Sequence, residues 1–362
     1  MTRVAVIGGG ITGCTTAALL AEAGATVTLF EREAIGAGAS GRNSGILQPQ
    51  VDPLLAPLYE ASIALYEDLG HGFALPATPS DVLLVSENGD ALRPGYEAAH
   101  APEWLEGDAL AKAEPELGAG LYAYRVQGGL PVGPTAATRA WAARAREAGA
   151  RLVIGQEATA AVRDGRVEGV RTLDERHPAD AVVLAAGPWT PGVPVRPVWG
   201  VVAQVRLPRP PRHQFEEAGI EALTEASAAP PALFSLITTG DVSAVGSTFT
   251  PGEPDAAAIA PSLLARGARF VPALDGAVIE HVRACARPVS DDGLPILGPV
   301  PDVDGLHVIT GHGPWGITLG PGSAKLVAAG VLGDAGAVPA PLRYSSSRLR
   351  SSATTVRSAP LP

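Results

Sequence analysis

Six residues near the N-terminus, Gly8-Gly9-Gly10-Ile11-Thr12-Gly13, constrain the fold more than any other part of the chain. A short apolar run at 3–8 precedes them, and residues 14–23 follow with Ala17, Leu20 and Ala21 at helical spacing. Gly24 stops that helix, and a second apolar run at 25–30 ends on Glu31. The pattern predicts a strand–helix–strand unit of about 30 residues. Gly8 permits the tight turn out of the strand, Gly10 lets backbone approach a pyrophosphate, and Gly13 lets helix pack closely on sheet. The free N–H groups and positive dipole end of the helix suit phosphate oxygens. Glu31 is in register to accept ribose hydroxyls. An acid at this point disfavours a 2′-phosphate, so the unit predicts a site for an ADP moiety without one.

At 362 residues the chain can bury one large core or two interleaved ones. No apolar run approaches the ~20 residues that span a bilayer, and the first one breaks into glycines, so the N-terminus reads as mature protein. Lys and Arg number 27 against 37 Asp and Glu, a net charge of −10 with no basic stripe. This argues against nucleic acid and anionic membranes as partners. Two cysteines, Cys14 and Cys285, make no disulfide framework and suit a reducing, cytoplasmic setting. The histidines show no metal-like spacing. The oligomeric state is left open, a homo-oligomer included.

Further along, the sequence predicts a small-residue loop at 36–45, a helix over 54–69, and strands at 82–85 and 121–124. An amphipathic helix over 134–149 follows, then strands at 151–154 and 181–187 with a hairpin turn at 163–166. The stretch 201–284 reads as strands at 201–207, 233–238 and 243–246 with a helix near 260–272. A strand at 306–310 and a helix over 322–332 close the chain, before a Ser-, Pro- and Arg-rich tail at 340–362 that reads as disordered.

Read with the glycines, Arg32 beside the acid and the loop Ala39-Ser40-Gly41-Arg42-Asn43-Ser44-Gly45-Ile46 resemble the D-amino acid oxidase superfamily, in its glycine oxidase and sarcosine oxidase branch. The resemblance runs over about 330 residues. Ala158, the motif Gly187-Pro188-Trp189, and the stretches 287–298 and Gly311-His312-Gly313-Pro314-Trp315-Gly316-Ile317-Thr318 all resemble that family's segments. It implies an α/β fold: a Rossmann-type FAD domain from 1–80, 131–200 and 285–339, interleaved with an α+β substrate domain from 81–130 and 201–284 on a mostly antiparallel sheet. It also implies FAD, with the ADP end on the first glycines and Glu31, the adenine near Ala158, and the ring framed by the last two stretches.

The resemblance further places Arg287 on a substrate carboxylate, a role its planar fork of donors suits; a structural ion pair with Asp291 or Asp292 is the alternative. The second substrate arginine of glycine oxidase is replaced by Pro314 and its tyrosine by Phe234, which implies a more apolar pocket and a larger substrate, such as an N-substituted glycine. Cys285 has two readings, covalent attachment to the flavin as in sarcosine oxidases or an inert buried thiol, and noncovalent FAD is the favoured one. The implied reaction is oxidation of an amino acid or secondary amine to an imine that hydrolyses, with O2 reduced to H2O2. No lysine stands near Ala244, where sarcosine oxidases carry one for O2. A dehydrogenase using another electron acceptor, for a 2-hydroxy acid or an amine, and a noncatalytic flavoprotein subunit are the rival readings.

Overall fold

The computed structural model describes residues 1–50, 52–98, 102–218, 232–334 and 336–345. Its first layer is a six-stranded sheet in the order Ile296–Pro299, Leu306–Thr310, Ala181–Leu184, Arg3–Ile7, Thr26–Glu31, Arg151–Ile154. Every neighbouring pair is parallel except the first, where Ile296–Pro299 runs antiparallel. Parallel strands are covered on both faces, and the apolar runs of the sequence reflect that. The helix Ile11–Glu22 on one face is buried nearly all round, between the helices Pro134–Glu147 and Gly316–Val331. On the other face a three-stranded meander, Thr159–Pro178, packs Val167 and Val170 against Ile7, Phe30 and Val182.

The second layer is an eight-stranded sheet in the order His281–Ser290, Val195–Val205, Val242–Thr248, Ala232–Thr239, Gln214–Glu217, Val82–Ser86, Tyr122–Val126, Glu103–Glu106. All its pairs are antiparallel except Gln214–Glu217 with Val82–Ser86. The helix Ala256–Gly267 covers one face through Ala260, Leu263 and Leu264 over Phe215, Phe234 and Leu236. The fold is thus the expected α/β arrangement, with one mostly parallel and one mostly antiparallel sheet. Among the described residues no helix is long and apolar enough to cross a membrane.

The last long helix starts six residues before its expected position, at Gly316, and carries Pro321 inside. A proline there removes the N–H that would bond the carbonyl four residues back. That carbonyl, on Ile317, accepts instead from the Tyr66 hydroxyl at 2.8 Å, and Gly322 N donates to Ser62 Oγ at 2.9 Å. Both partners lie on the helix Ala56–Glu67, which crosses so closely that a Cβ on Gly322 would stand 2.2 Å from Leu58 O.

The predicted disordered tail begins too early. Residues 340–345 dock: Leu342 is fully buried in the core of the first layer, Tyr344 N donates to Leu297 O at 3.0 Å, and its hydroxyl donates to Gly192 O. Residues 346–362 of that tail lie outside the described residues. Leu342→Ala should therefore destabilise the protein by about 2–4 kcal/mol, the usual loss for a buried leucine that leaves a cavity. Urea unfolding midpoints measure this, and a midpoint equal to wild type would mean that the segment does not dock.

Candidate active site

The glycine turn stands at the carboxyl end of the strand Arg3–Ile7, where parallel sheets place their ligand crevice. Gly8 has φ 116°, and a Cβ there would meet Ala185 O at 2.3 Å. A Cβ on Gly13 would meet Gly8 O at 2.0 Å, so helix and turn can pack this way only without side chains. Gly13 accordingly lies behind the turn rather than in the cavity wall. Gly8, Gly10, Ile11 and Thr12 do line the cavity, and the first helical turn carries no acid that would repel an anion. Ile11 N donates to Ser40 Oγ at 2.9 Å, which ties the turn to the short helix Ala39–Arg42.

The Glu31 carboxylate is held at both oxygens. Oε2 accepts from Gly9 N at 2.7 Å and Oε1 from Glu33 N at 2.8 Å, which aims the group along the cavity edge. Beyond it a second cavity shares Glu31, Arg32 and Trp189 and ends at Ala158. There Arg32 lies over the half-exposed Trp189 ring, 5.7 Å from its centroid. In the other direction the first cavity passes Ala39, Ser40, Asn43 and Gly187, then reaches Cys285, Arg287, His312, Gly313, Pro314, Gly316 and Ile317. A third cavity opens across Asn43, Cys285, Arg287, Pro314 and Ile317 into the eight-stranded sheet, where Ser44, Gly45, Ile46 and Trp315 line it.

Several expected residues stand elsewhere. Phe234 does not face a pocket: it is fully buried on the helix side of its strand, stacked on Phe270 at 5.0 Å. Successive side chains of a strand alternate between faces, so its neighbours Ser235 and Ile237 line the cavity instead. Arg42 turns away from the cofactor cavity, donates to Ala284 O, and lines a separate groove with Arg283. Thr318 donates to Ile46 O at 3.1 Å and Gly311 sits tight against Ile296, so both brace the walls. Val202, Glu216, Ser247 and Phe249 complete the third cavity and had no local motif to mark them.

Arg287 occupies the junction. Its guanidinium donates to Thr248 O at 3.0 Å and to Ser247 Oγ, with its carbon 4.6 Å from the Phe249 ring centroid. It lies flat on Gly200, where a Cβ would stand 2.3 Å from its Nη2. Desolvation pulls Arg287 below the ordinary arginine value, yet a guanidinium remains charged at neutral pH. Cys285 is buried beside it, and desolvation pushes its thiol up. His312 is buried with Nε2 3.0 Å from Ser323 Oγ, which pins the glycine-rich turn to the final helix. No cluster of three metal-ligating side chains occurs among the described residues.

This geometry fits FAD. The bare backbone of Gly10 preserves space that a Cβ would fill, 2.9 Å from Ser40 Oγ. The three joined cavities run from Ala158 past the glycine turn to Arg287, a course that an extended dinucleotide with a ring at the Arg287 end would follow. The family model described as FAD dependent oxidoreductase, DAO, matches residues 3–329. The chain belongs to the DAO family. It is 30% identical over 357 residues to glycine oxidase of Geobacillus kaustophilus strain HTA426, across 90% of this chain and 91% of that one. The crystal structure of glycine oxidase from Geobacillus kaustophilus superposes with a TM-score of 0.83 at 27% identity, covering 95% and 99% of the two chains. Iminodiacetate oxidase from Chelativorans sp. BNC1 superposes with a TM-score of 0.79 at 25% identity, covering 93% and 97%. This DAO-family chain is an FAD-dependent oxidoreductase.

Burial holds the His312 imidazole down at about 4, below the ~6.5 of an unfolded chain. The unfolded state therefore binds the extra proton first as pH falls. Stability from this group is present in full above about pH 6.5 and is lost toward pH 4, by up to about 1.4 kcal/mol per pH unit. Urea midpoints across that window should fall more steeply for wild type than for His312→Asn, and parallel slopes would contradict the assignment.

Proposed function

We propose that the enzyme oxidises an amino acid or secondary amine of the N-substituted glycine type to an imine that hydrolyses, with O2 reduced to H2O2. The observation that carries this reading is the position of Arg287, a half-buried cation where the cofactor cavity meets the cavity of the eight-stranded sheet. Bound FAD supplies a ring that accepts a hydride equivalent and later passes electrons on. The chain supplies orientation. Arg287 holds the substrate carboxylate by its fork of donors, and its own bonds to Thr248 and Ser247, with Gly200 beneath, fix the guanidinium in place. The carbon bearing the amine then faces the ring end of the cavity. Ile46, Ile237, Phe249 and Trp315 provide apolar wall for a substituent and exclude water.

Pro314 and the apolar wall favour a substrate larger than glycine. The similarity to an iminodiacetate oxidase, whose substrate is an N-substituted glycine, points the same way. Noncovalent FAD is the favoured form, because the residues around Cys285 resemble those of glycine oxidase and a buried thiol is commonly inert.

Anaerobic mixing with glycine, sarcosine and longer N-alkylglycines tests the reading. At least one should bleach the visible flavin band, and readmitted O2 should restore it with H2O2 formed. Acid precipitation of the same sample should leave the flavin in the supernatant. Arg287→Ala should keep its flavin but lose about 2–4 kcal/mol of transition-state binding, a fall of roughly 30- to 1,000-fold in kcat/KM. Failure of every amine to bleach the flavin, or an unaffected Arg287→Ala, would contradict the proposal. Bleaching that only an artificial acceptor reverses would make the enzyme a dehydrogenase.

A further inference from the structure

The cavity that Arg287 closes at one end has a carboxylate in its far wall. On the strand Gln214–Glu217, Phe215 faces the helix side, and Glu217 pairs there with Arg266. The alternating residue Glu216 faces the other way, is 6% exposed, and lines the same cavity as Arg287. Glu216 is paired in register with Ser235, and Ser235 with Gly246, next to the Ser247 that holds the guanidinium. Gly246 leaves the floor bare between them: a Cβ there would stand 3.0 Å from Ser235 Oγ and 3.6 Å from Ser44 Oγ. The floor therefore runs from a cation, over two serine hydroxyls, to a carboxylate. At about 4.8 Å per strand, Gly246 and Glu216 are roughly 10 Å apart.

A guanidinium at one end of a cavity and a carboxyl group at the other orient a dipolar ligand that carries complementary groups. A bare glycine reaches only the Arg287 end. A ligand that uses both ends has its carboxylate on Arg287 and a cationic donor one side-chain length away. The walls between, Ile46, Ile237 and Phe249, suit a methylene spacer. We infer that Glu216 is a specificity residue that selects substrates whose substituent ends in an amino or other cationic group. The inference rests on the amine-oxidation reading for the chemistry, but its recognition part is separable.

The test uses the FAD-loaded enzyme and acids that lack the oxidisable amine. Binding of pentanoate and 5-aminopentanoate is read from the shift of the oxidised flavin spectrum, with 4-aminobutanoate and 6-aminohexanoate to find the best length. The amino-tailed acid should bind roughly 10-fold or more tightly than its neutral counterpart, the scale of a charge-assisted hydrogen bond. In Glu216→Gln the two should bind within about threefold, with pentanoate affinity close to that of wild type. In a second arm, N-(aminoalkyl)glycines should bleach the flavin at lower concentration than N-alkylglycines of equal length. Equal or weaker binding of the amino-tailed acid to wild type, or binding of neither, overturns the inference without need of a variant. A tail preference that persists in Glu216→Gln also overturns it. If the preference holds but no amine bleaches the flavin, the oxidation reading fails while the recognition role stands.

Discussion

A backbone carbonyl occupies the place where the side chain of residue 13 would begin, and the rest of the site depends on that contact. With Gly13 against Gly8 O, and Gly8 against Ala185 O, the first helix lies directly on the crossing of two parallel strands. This sets its N-terminus at the carboxyl end of the sheet, with its free amides and dipole aimed into the crevice. Any side chain at either position would push helix from strand, and the amides would no longer converge with Glu31. The short Ala39–Arg42 helix is tied to the same turn through Ser40, so the phosphate end of the cavity is assembled from bare backbone and one hydroxyl.

The ring end is built by long-range compensation. Pro321 would weaken the helix Gly316–Val331, whose first turn borders the cavity, but Tyr66 takes the carbonyl it leaves unbonded. Ser62 and the close crossing at Gly322 hold the two helices together. The same helix anchors the glycine-rich turn through Ser323 and His312. Against this frame the eight-stranded sheet brings Arg287, folded over Gly200, so the cavity beside it lies where the two layers meet.

Local features were legible in the sequence and relational ones were not. The glycine turn and Glu31 are short-range signals, readable from their spacing within 25 residues even though the contact that demands Gly8 comes from Ala185. Arg287 stood out because it lies in a long motif that resembles a known family. Phe234 misled because a one-residue slip in a strand exchanges its two faces. The wall is made by Ser235 and Ile237, and a linear reading has no means to choose the face. Arg42 misled because the loop was read as a unit, whereas its four-residue helix sends Ala39 and Ser40 one way and Arg42 the other. The final helix begins six residues before the expected 322, and the tyrosine that caps the carbonyl left by Pro321 is 251 residues away from it. Leu342 and Tyr344 dock singly, with no period to reveal them. Glu216, inside Gln-Phe-Glu-Glu, carries no local motif and becomes meaningful only when pairing sets it beside Ser235.

On the proposed function, one continuous crevice would hold FAD from Ala158 to Arg287 and present a substrate carboxylate to that arginine. A crystal structure of the FAD-loaded enzyme soaked with acetate, a carboxylate it cannot oxidise, tests this most directly. Ribose hydroxyls are expected on Glu31, pyrophosphate on the amides that open the first helix, and acetate on the Arg287 guanidinium. A nucleotide that bypasses Glu31, or acetate bound outside the Arg287 cavity while the guanidinium stays on Thr248 and Ser247 alone, would contradict it.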